Sequence, residues 1–187
     1  MSAPELDAHG LNVMTDLSTR AERQRLVLKL ESIADLTGEE KQALLGLPMI
    51  IKTMPADHDI VSIGDCPSHC CLLLDGWACR YKMLPDGSRQ IMSFHIPGDI
   101  PDLQSLYINT MDHSLGTLVP AKVALIHHRD LHSLIRRWEG ISTALWRDTL
   151  IDAAIFREWM VGIGRRSAHQ RIAHILCEMA TKLRISQ

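Results

Sequence analysis

Cysteine and histidine are the residues of this chain with the widest range of possible chemistry. Cys66, Cys70, Cys71 and Cys79 stand close together, and clustered thiolates are ligands of zinc and of iron–sulfur centres. On a β-strand, however, Cys70 and Cys71 would point to opposite faces, so both cannot easily bind one metal. Cysteine is also a common small core residue. We therefore predict no metal site and mainly buried or half-buried thiols, Cys177 included, with a redox switch as the alternative for the first four.

Ten histidines are a high count for a chain of this length. Five of them, His95, His113, His127, His128 and His132, lie in the middle part of the chain. A solvated side chain is the commoner interpretation of such histidines, and a haem ligand is the one that the family resemblance described below would allow, so the cofactor is left open. The sequence holds no glycine-rich phosphate loop, nucleophile elbow or zinc-spaced pair, and we predict no catalytic residue and no enzymatic activity.

Length and composition limit the number of domains and the kinds of protein that this chain can be. The chain has 187 residues and a net charge of −2, which fits one domain with an appendage and gives no global basic character. No apolar run approaches the length of a membrane span, and the N-terminus does not resemble a signal peptide. An odd number of cysteines without a secretory signal favours the reducing cytoplasm. We expect a cytoplasmic protein that is not bound to membranes.

Regularly spaced turns organise the stretch from Gly64 to Asp99. Gly64–Asp65, Asp75–Gly76, Asp86–Gly87 and Gly98–Asp99 recur about every ten residues between short apolar runs. Asp86–Gly87 is the clearest hairpin signal among them. This pattern predicts antiparallel strands rolled into a β-sandwich or barrel, with strands over residues 50–53, 59–63, 70–74, 78–83, 90–94, 113–119 and 122–127.

Helical patterns lie on both sides of this predicted roll. After a loose tail over residues 1–16, a charged helix runs to Ile33, and the capping box Thr37-x-x-Glu40 opens a helix that ends at Gly46. A short helix follows over residues 129–137. The longest helical stretch covers Ile141–Ile163, and a glycine-rich hinge with a new N-cap at residues 162–167 separates it from a final helix over residues 168–183.

The long helix has apolar residues on more than one side, so it must bury more than one side. Its main stripe consists of Ile141, Ala144, Leu145, Ile151, Ile155, Trp159 and Ile163. Within this stripe we predict that Ile141, Leu145, Ile151, Ile155 and Trp159 form the dimer seam. Asp148 and Asp152 fall close to this stripe, which argues against a dry coiled-coil seam there. Trp146, Leu150 and Val161 are on other faces. One side would pack on the roll and the other on a second chain.

The order of these elements resembles the cyclic-AMP receptor and fumarate–nitrate regulator (Crp/Fnr) family of bacterial transcription factors. The motifs that carry the resemblance are Gly64–Asp65, Leu72–Gly76, Leu84–Gln90, Phe94–Asp99 and Arg171–Leu176. The resemblance implies an α+β fold, in which a cyclic-nucleotide-binding-like jelly roll is flanked by helices and followed by a long dimerisation helix. The expected division is a tail and helix start over residues 1–25, an effector domain over 26–139, the dimerisation helix over 140–163, and over 164–187 the hinge with the first helix of an incomplete DNA-binding domain.

The resemblance also implies an effector pocket formed by Gly98, Asp99, Leu103, Gln104, Ser105, His113 and Ser114. Where cyclic-nucleotide-binding members place a glutamate for the ribose and an arginine for the phosphate, this chain has Leu103 (or Gln104 after a one-residue shift) and His113. A neutral imidazole cannot replace a guanidinium fork. The pattern therefore favours an effector other than cyclic AMP, and a purely structural corner is an equal alternative. In iron–sulfur members the cysteine ligands mostly precede the roll, whereas none precedes Cys66 here.

These features predict the sensor and dimerisation part of a homodimeric Crp/Fnr-type regulator that responds to a small-molecule effector. Such proteins bind DNA through a C-terminal helix-turn-helix, which we expect to be absent from this chain, so the chain itself should bind DNA only weakly and non-specifically through basic residues such as Arg165, Arg166 and Arg171. Two alternatives remain. One is a stand-alone ligand-binding module that signals through protein partners, and the other is a scaffold whose dimer form alone matters.

Overall fold

The computed structural model describes residues 17–185, so the tail predicted for residues 1–16 lies outside the described residues. Two helices precede a seven-stranded β-roll, and three helices follow it. In chain order the elements are α1 Leu17–Glu31, α2 Gly38–Leu45, β1 Ile50–Met54, β2 Asp59–Val61, β3 His69–Asp75, β4 Ala78–Met83, β5 Arg89–His95, a 3₁₀ turn Leu103–Leu106, β6 Ser114–Thr117, β7 Ala121–His127, α3 His128–Arg137, α4 Glu139–Arg165 and α5 Ala168–Ile185.

The strands form two antiparallel sheets. One sheet has the order β1–β7–β3, and the other has the order β2–β6–β4–β5. Apolar side chains from both sheets meet in a core between them, among them Leu73, Val123 and Leu115. The predicted α+β class with a jelly roll and a long following helix is confirmed.

Strand β3 is buried on both faces, which explains its uninterrupted apolar sequence. Cys71 and Leu73 point into the core between the sheets. Cys70, Leu72 and Leu74 point the other way, into a second core that the helices cover. This second core joins the roll to α1, α2, α3 and the first turns of α4.

Local signals set the ends of the helices. Thr37 and Glu40 form the predicted capping box at the start of α2, with Gly46 as its C-cap. The predicted hinge needs one correction, because α4 continues through both glycines to Arg165 and leaves only residues 166–167 between the two helices. The predicted N-cap is present, since Ser167 Oγ accepts a hydrogen bond from the Gln170 amide at 3.4 Å. No helix in the described part of the chain is long and apolar enough to cross a membrane.

Gly76 is the turn glycine with the least space around it. Its φ is +86°, and a Cβ there would lie 2.7 Å from the Pro120 carbonyl oxygen. We expect Gly76→Ala to lower the free energy of unfolding by more than about 2 kcal/mol, because a left-handed alanine is strained and the Pro120 backbone must also move.

Gly87→Ala is the matched control, since Gly87 has φ +81° but no neighbour within 4 Å of its Cβ position. Urea titration of the two variants measures the difference, and Gly87→Ala should lower the free energy of unfolding by only about 1 kcal/mol. Equal losses in the two variants would show that the close approach at Gly76 has no energetic weight.

Candidate functional site

A cavity of about 800 Å³ lies between the β-roll, α4 and α5. The roll contributes β4, β5, the turn after β5 and the 3₁₀ turn, and α4 and α5 form the opposite wall. Lys29 at the end of α1, with Ser32 and Ile33 just after it, completes the lining. The surface of the cavity is mostly apolar, and its larger apolar side chains are Ile33, Met92, Ile96, Ile100, Leu103, Ile108, Ile151, Ile155 and Phe156. The size and the lining are those of a site for a small organic ligand.

The structure brings four of the seven predicted pocket residues together at this cavity. Asp99 lies in the turn after β5, Leu103 and Gln104 lie in the 3₁₀ turn, and His113 lies just before β6. These segments meet because the β5–β6 connection folds back against β3, which it contacts through the 3₁₀ turn and through backbone hydrogen bonds between Leu73 and residues 98–99.

The other three predicted residues do not line the cavity. Gly98 has φ +102° and lies against the backbone of α1, where a Cβ would crowd it. Ser105 Oγ turns away from the cavity and lies 3.0 Å from His128 Nε2. Ser114 Oγ accepts a hydrogen bond from the Ile63 amide at 3.0 Å. Residues adjacent in sequence to pocket residues thus point elsewhere, as strand and turn geometry requires.

His113 cannot act as a phosphate-binding cation in this setting. Its Nδ1 lies 2.7 Å from the Asp112 carboxylate, and its Nε2 lies 3.4 Å from the Gln104 side-chain nitrogen. Burial, together with the nearby Arg80, nevertheless lowers the pKa of His113 below its usual value. The imidazole is therefore neutral at pH 7, as the sequence interpretation requires.

Arg80, on β4, is a functional candidate that the sequence analysis missed. Its Nε donates a hydrogen bond to the Pro101 carbonyl oxygen at 2.6 Å, and its Nη1 forms an ion pair with Asp152 of α4. Burial alone would raise the pKa of Asp152, but the Arg80 charge outweighs it and lowers that pKa. Arg80 therefore ties the roll to the long helix.

Lys29, on α1, makes the second connection to the long helix. Its Nζ lies 2.7 Å from an Asp99 oxygen and 2.9 Å from an Asp148 oxygen. Burial alone would lower the pKa of Lys29, yet the two carboxylates raise it above its usual value. One side chain thus joins α1, the turn after β5 and α4.

His95 of β5 joins this network through Asp99. Its Nε2 lies 2.8 Å from Ser93 Oγ, and its Nδ1 lies 3.2 Å from Asp99 Oδ2. Burial, and then the Arg80 charge, lower the pKa of His95 to about 4, so its imidazole is neutral at pH 7. Burial alone would raise the pKa of Asp99, but the Lys29 charge outweighs burial and holds that pKa well below its usual range.

One signal in the sequence could have revealed these connections. Asp148 and Asp152 are one helical turn apart on an otherwise apolar stripe, and a carboxylate on a buried face needs a cation. The partners, Lys29 and Arg80, could not be identified because they lie far away in the sequence.

Helix α5 is docked on the roll as well as on α4. Lys182 Nζ donates a hydrogen bond to the Phe94 carbonyl oxygen at 2.7 Å and lies 3.3 Å from Glu178. The Trp159 indole N–H donates to Glu178 at 2.6 Å, and the Trp159 ring meets Phe94 edge to face. The helix after the hinge is thus part of the cavity wall.

The cysteines are divided between the two cores and the surface. Cys70, Cys71 and Cys79 are buried as predicted, and burial raises the pKa of the Cys70 and Cys71 thiols. Cys66 and Cys177 are exposed, which corrects the prediction for those two. Cys66 is in the connection between β2 and β3, and Cys177 is at the cavity on α5. Among residues 17–185, no group of three or more His, Cys, Asp or Glu could hold a metal ion.

All five residues of the predicted dimer seam have contacts within their own chain, although Ile151 remains 37% exposed, and their part in a dimer stays a prediction. Ile141 and Leu145 are buried in the second core, which the helices cover. Ile151 and Ile155 line the cavity, and the Trp159 indole N–H donates a hydrogen bond to Glu178 of α5. The opposite face of α4 is the one left uncovered. We call it the outer stripe, and it consists of Trp146, Leu150, Met160 and Val161, which are 65%, 49%, 60% and 48% exposed.

The residues of the roll match a known domain family. Residues 51–137 match the cyclic nucleotide-binding domain. The chain is 24% identical over 137 residues to the nitrogen fixation regulation protein FixK of Rhizobium meliloti (strain 1021), covering 72% of this chain and 60% of that protein. It is 30% identical over 112 residues to the transcriptional activatory protein AadR of Rhodopseudomonas palustris (strain ATCC BAA-98 / CGA009), covering 56% of this chain and 43% of that protein.

Solved structures share the fold. FixK2 from Bradyrhizobium japonicum superposes with a TM-score of 0.67 at 24% identity, over 73% of this chain and 68% of that one. The c-di-GMP-responsive global regulator CLP of Xanthomonas campestris gives a TM-score of 0.62 at 15% identity, over 76% and 72%. The chain spans only about half the length of the curated relatives that it matches.

Proposed function

Because this chain carries a cyclic nucleotide-binding domain and belongs to the Crp/Fnr family of transcription regulators, we propose that it is the effector-sensing and dimerising part of a DNA-binding regulator. It acts without catalysing a reaction, as a homodimer in the cytoplasm, where its DNA target is. The observation that carries the proposal is the cavity shared by the roll, α4 and α5.

Because the roll, α4 and α5 line the same cavity, binding of an effector there can change the position of the two helices relative to the roll. Arg80 connects the roll to α4, Lys29 of α1 connects Asp99 of the roll to Asp148 of α4, and Lys182 connects α5 to the roll. A ligand that prefers one spacing of these walls shifts the population toward that arrangement. We infer that this shift changes DNA binding, because α5 follows α4 at the position where the family resemblance places the start of the DNA-binding part.

Chromatin immunoprecipitation of the protein, tagged and expressed from its own gene, tests this function. We expect enrichment at discrete promoters that share a two-fold symmetric motif, since a dimer reads two half-sites. Enrichment no greater than that of an untagged strain would overturn the proposal and favour a ligand-binding module that signals through protein partners.

We further propose that the effector is not cyclic AMP. Leu103 offers no hydrogen bond to a ribose, and the neutral His113 is paired with Asp112. Loss of a bidentate charged contact costs on the order of 2–5 kcal/mol, which moves a micromolar ligand toward the millimolar range. Calorimetric titration with cyclic AMP and cyclic GMP should therefore show no binding at micromolar concentrations.

The double variant Leu103→Glu/His113→Arg is the matched control for this titration. It restores the two side-chain types that the family uses for ribose and phosphate, and it should bind cyclic AMP more tightly than the native chain. Low-micromolar binding to the native chain would contradict the assignment of these two positions.

A further inference from the structure

The charges that face the cavity are already paired with each other. Its three Lys and Arg side chains each contact a carboxylate of the protein: Lys29 with Asp99 and Asp148, Arg80 with Asp152, and Lys182 with Glu178. Two of them also donate to backbone carbonyl oxygens, Arg80 to Pro101 and Lys182 to Phe94. Every one of these cations therefore already has an anionic partner.

The cavity also has more carboxylates than cations. Six acidic side chains line it, namely Asp99, Asp112, Asp148, Asp152, Glu158 and Glu178, against the three Lys and Arg side chains. Arg166, which does not line the cavity, compensates Glu158, and an anionic ligand would still meet more carboxylates than cations. To reach a cation it would also have to displace a carboxylate, which would then be half-buried without a partner, and that is costly.

The surface between these ion pairs is apolar. Met92 and Ile96 contribute from the roll, Leu103 and Ile108 from the β5–β6 connection, and Ile155 and Phe156 from α4. An uncharged apolar molecule gains free energy by covering this surface and leaves every ion pair in place. The volume of about 800 Å³ accommodates a molecule of two or three fused or linked rings.

From the paired charges and the apolar walls together, we propose that this cavity binds an uncharged, largely apolar small molecule in place of a nucleotide. The inference rests on the proposed function, in that it names the ligand class of the same effector site.

Two fluorescent probes that differ by a single anionic group test the inference. N-phenylnaphthylamine is uncharged, and anilinonaphthalenesulfonate has a similar aromatic skeleton with a sulfonate. We expect the uncharged probe to saturate one site per chain, and the sulfonate to bind more than about tenfold more weakly, because it brings an unpaired charge into an acidic cavity.

Substitutions in the cavity wall show whether the uncharged probe binds in the cavity. Ile155→Trp and, independently, Met92→Trp add an indole to opposite walls and should each abolish binding of the uncharged probe. Ile63→Trp, at a position that is 52% exposed outside the cavity, is the matched control and should leave binding unchanged. Leu150→Glu should also leave it unchanged, which separates the cavity from the outer stripe. Binding that survives both cavity-filling variants overturns the inference.

Two further outcomes separate this inference from the proposed function. Equal or tighter binding of the sulfonate, or low-micromolar binding of a cyclic nucleotide, overturns the ligand class but keeps the cavity as an effector site. Binding of neither probe to the native chain, shown to be folded by its cooperative unfolding, overturns the inference together with the effector site. Immunoprecipitation at promoters would then still decide whether the protein is a DNA-binding regulator.

Discussion

Leu150→Glu is expected to convert the protein from a dimer into a monomer. Leu150 is at the centre of the outer stripe, it is 49% exposed, and it contributes to neither core within the chain. In a symmetric dimer each substitution appears twice, so two carboxylates would be buried without partners. We expect a loss of at least about 3 kcal/mol, which weakens dimerisation more than about a hundredfold.

Sedimentation analysis at micromolar concentration measures this change. The native chain should sediment as a dimer of two 21.0 kDa protomers, and the variant should sediment as a single protomer. Ile63→Glu adds the same charge at an exposed apolar position away from α4 and should remain dimeric. A native chain that is already monomeric, or a variant that stays dimeric, would exclude the outer stripe as the seam.

Lys29→Met is expected to lower the free energy of unfolding by about 3–5 kcal/mol, the cost typical of breaking a buried ion pair. The Lys29 side chain is only 21% exposed, and its ammonium group is the cation shared by Asp99 and Asp148. Methionine keeps the length of the side chain but leaves the two carboxylates facing each other. Urea denaturation at pH 7.5 measures the loss.

The surface pair Lys41–Glu31 supplies the matched control. Its side chains are 35% and 30% exposed, and Lys41→Met should therefore cost less than about 1 kcal/mol. A similar small loss in Lys29→Met would show that the connection between α1, the turn after β5 and α4 carries little energy.

The pH dependence of this loss follows from the lowered pKa of Asp99. A carboxyl group with a lowered pKa stabilises the fold above its unfolded value, near 4, and this contribution disappears as the pH falls through the folded value. Without Lys29 the lowered pKa of Asp99 rises, and the pKa of Asp148, which burial already raises in the native chain, rises further. The native chain should consequently keep its Asp99 contribution at pH 5, while Lys29→Met recovers part of its deficit between pH 7.5 and pH 5 as the unpaired carboxylates take up protons. A deficit that does not depend on pH would mean that packing, and not charge, is the cause.

Local chemistry made most of the fold predictable from the sequence. The turn glycines Gly76 and Gly87 have positive φ as their Asp–Gly context predicts, and the capping box at Thr37 starts α2. These features depend on residues a few positions apart, so their physics is contained in a short segment of sequence. The family resemblance followed from the order of such segments. It also identified Leu103 and His113 as the changed positions, and both of them line the cavity.

The tertiary structure decided which surfaces of these elements meet. The 3.6-residue period of α4 shows two apolar faces, but it cannot say which face the chain covers itself. The stripe from Ile141 to Trp159 packs inward because Lys29 and Arg80, far away in the sequence, neutralise Asp148 and Asp152 there. The same long-range contacts pair the charges around the cavity and leave the outer stripe uncovered. Sequence patterns determine the elements, whereas the choice of partners between elements depends on packing and charge compensation across the whole chain.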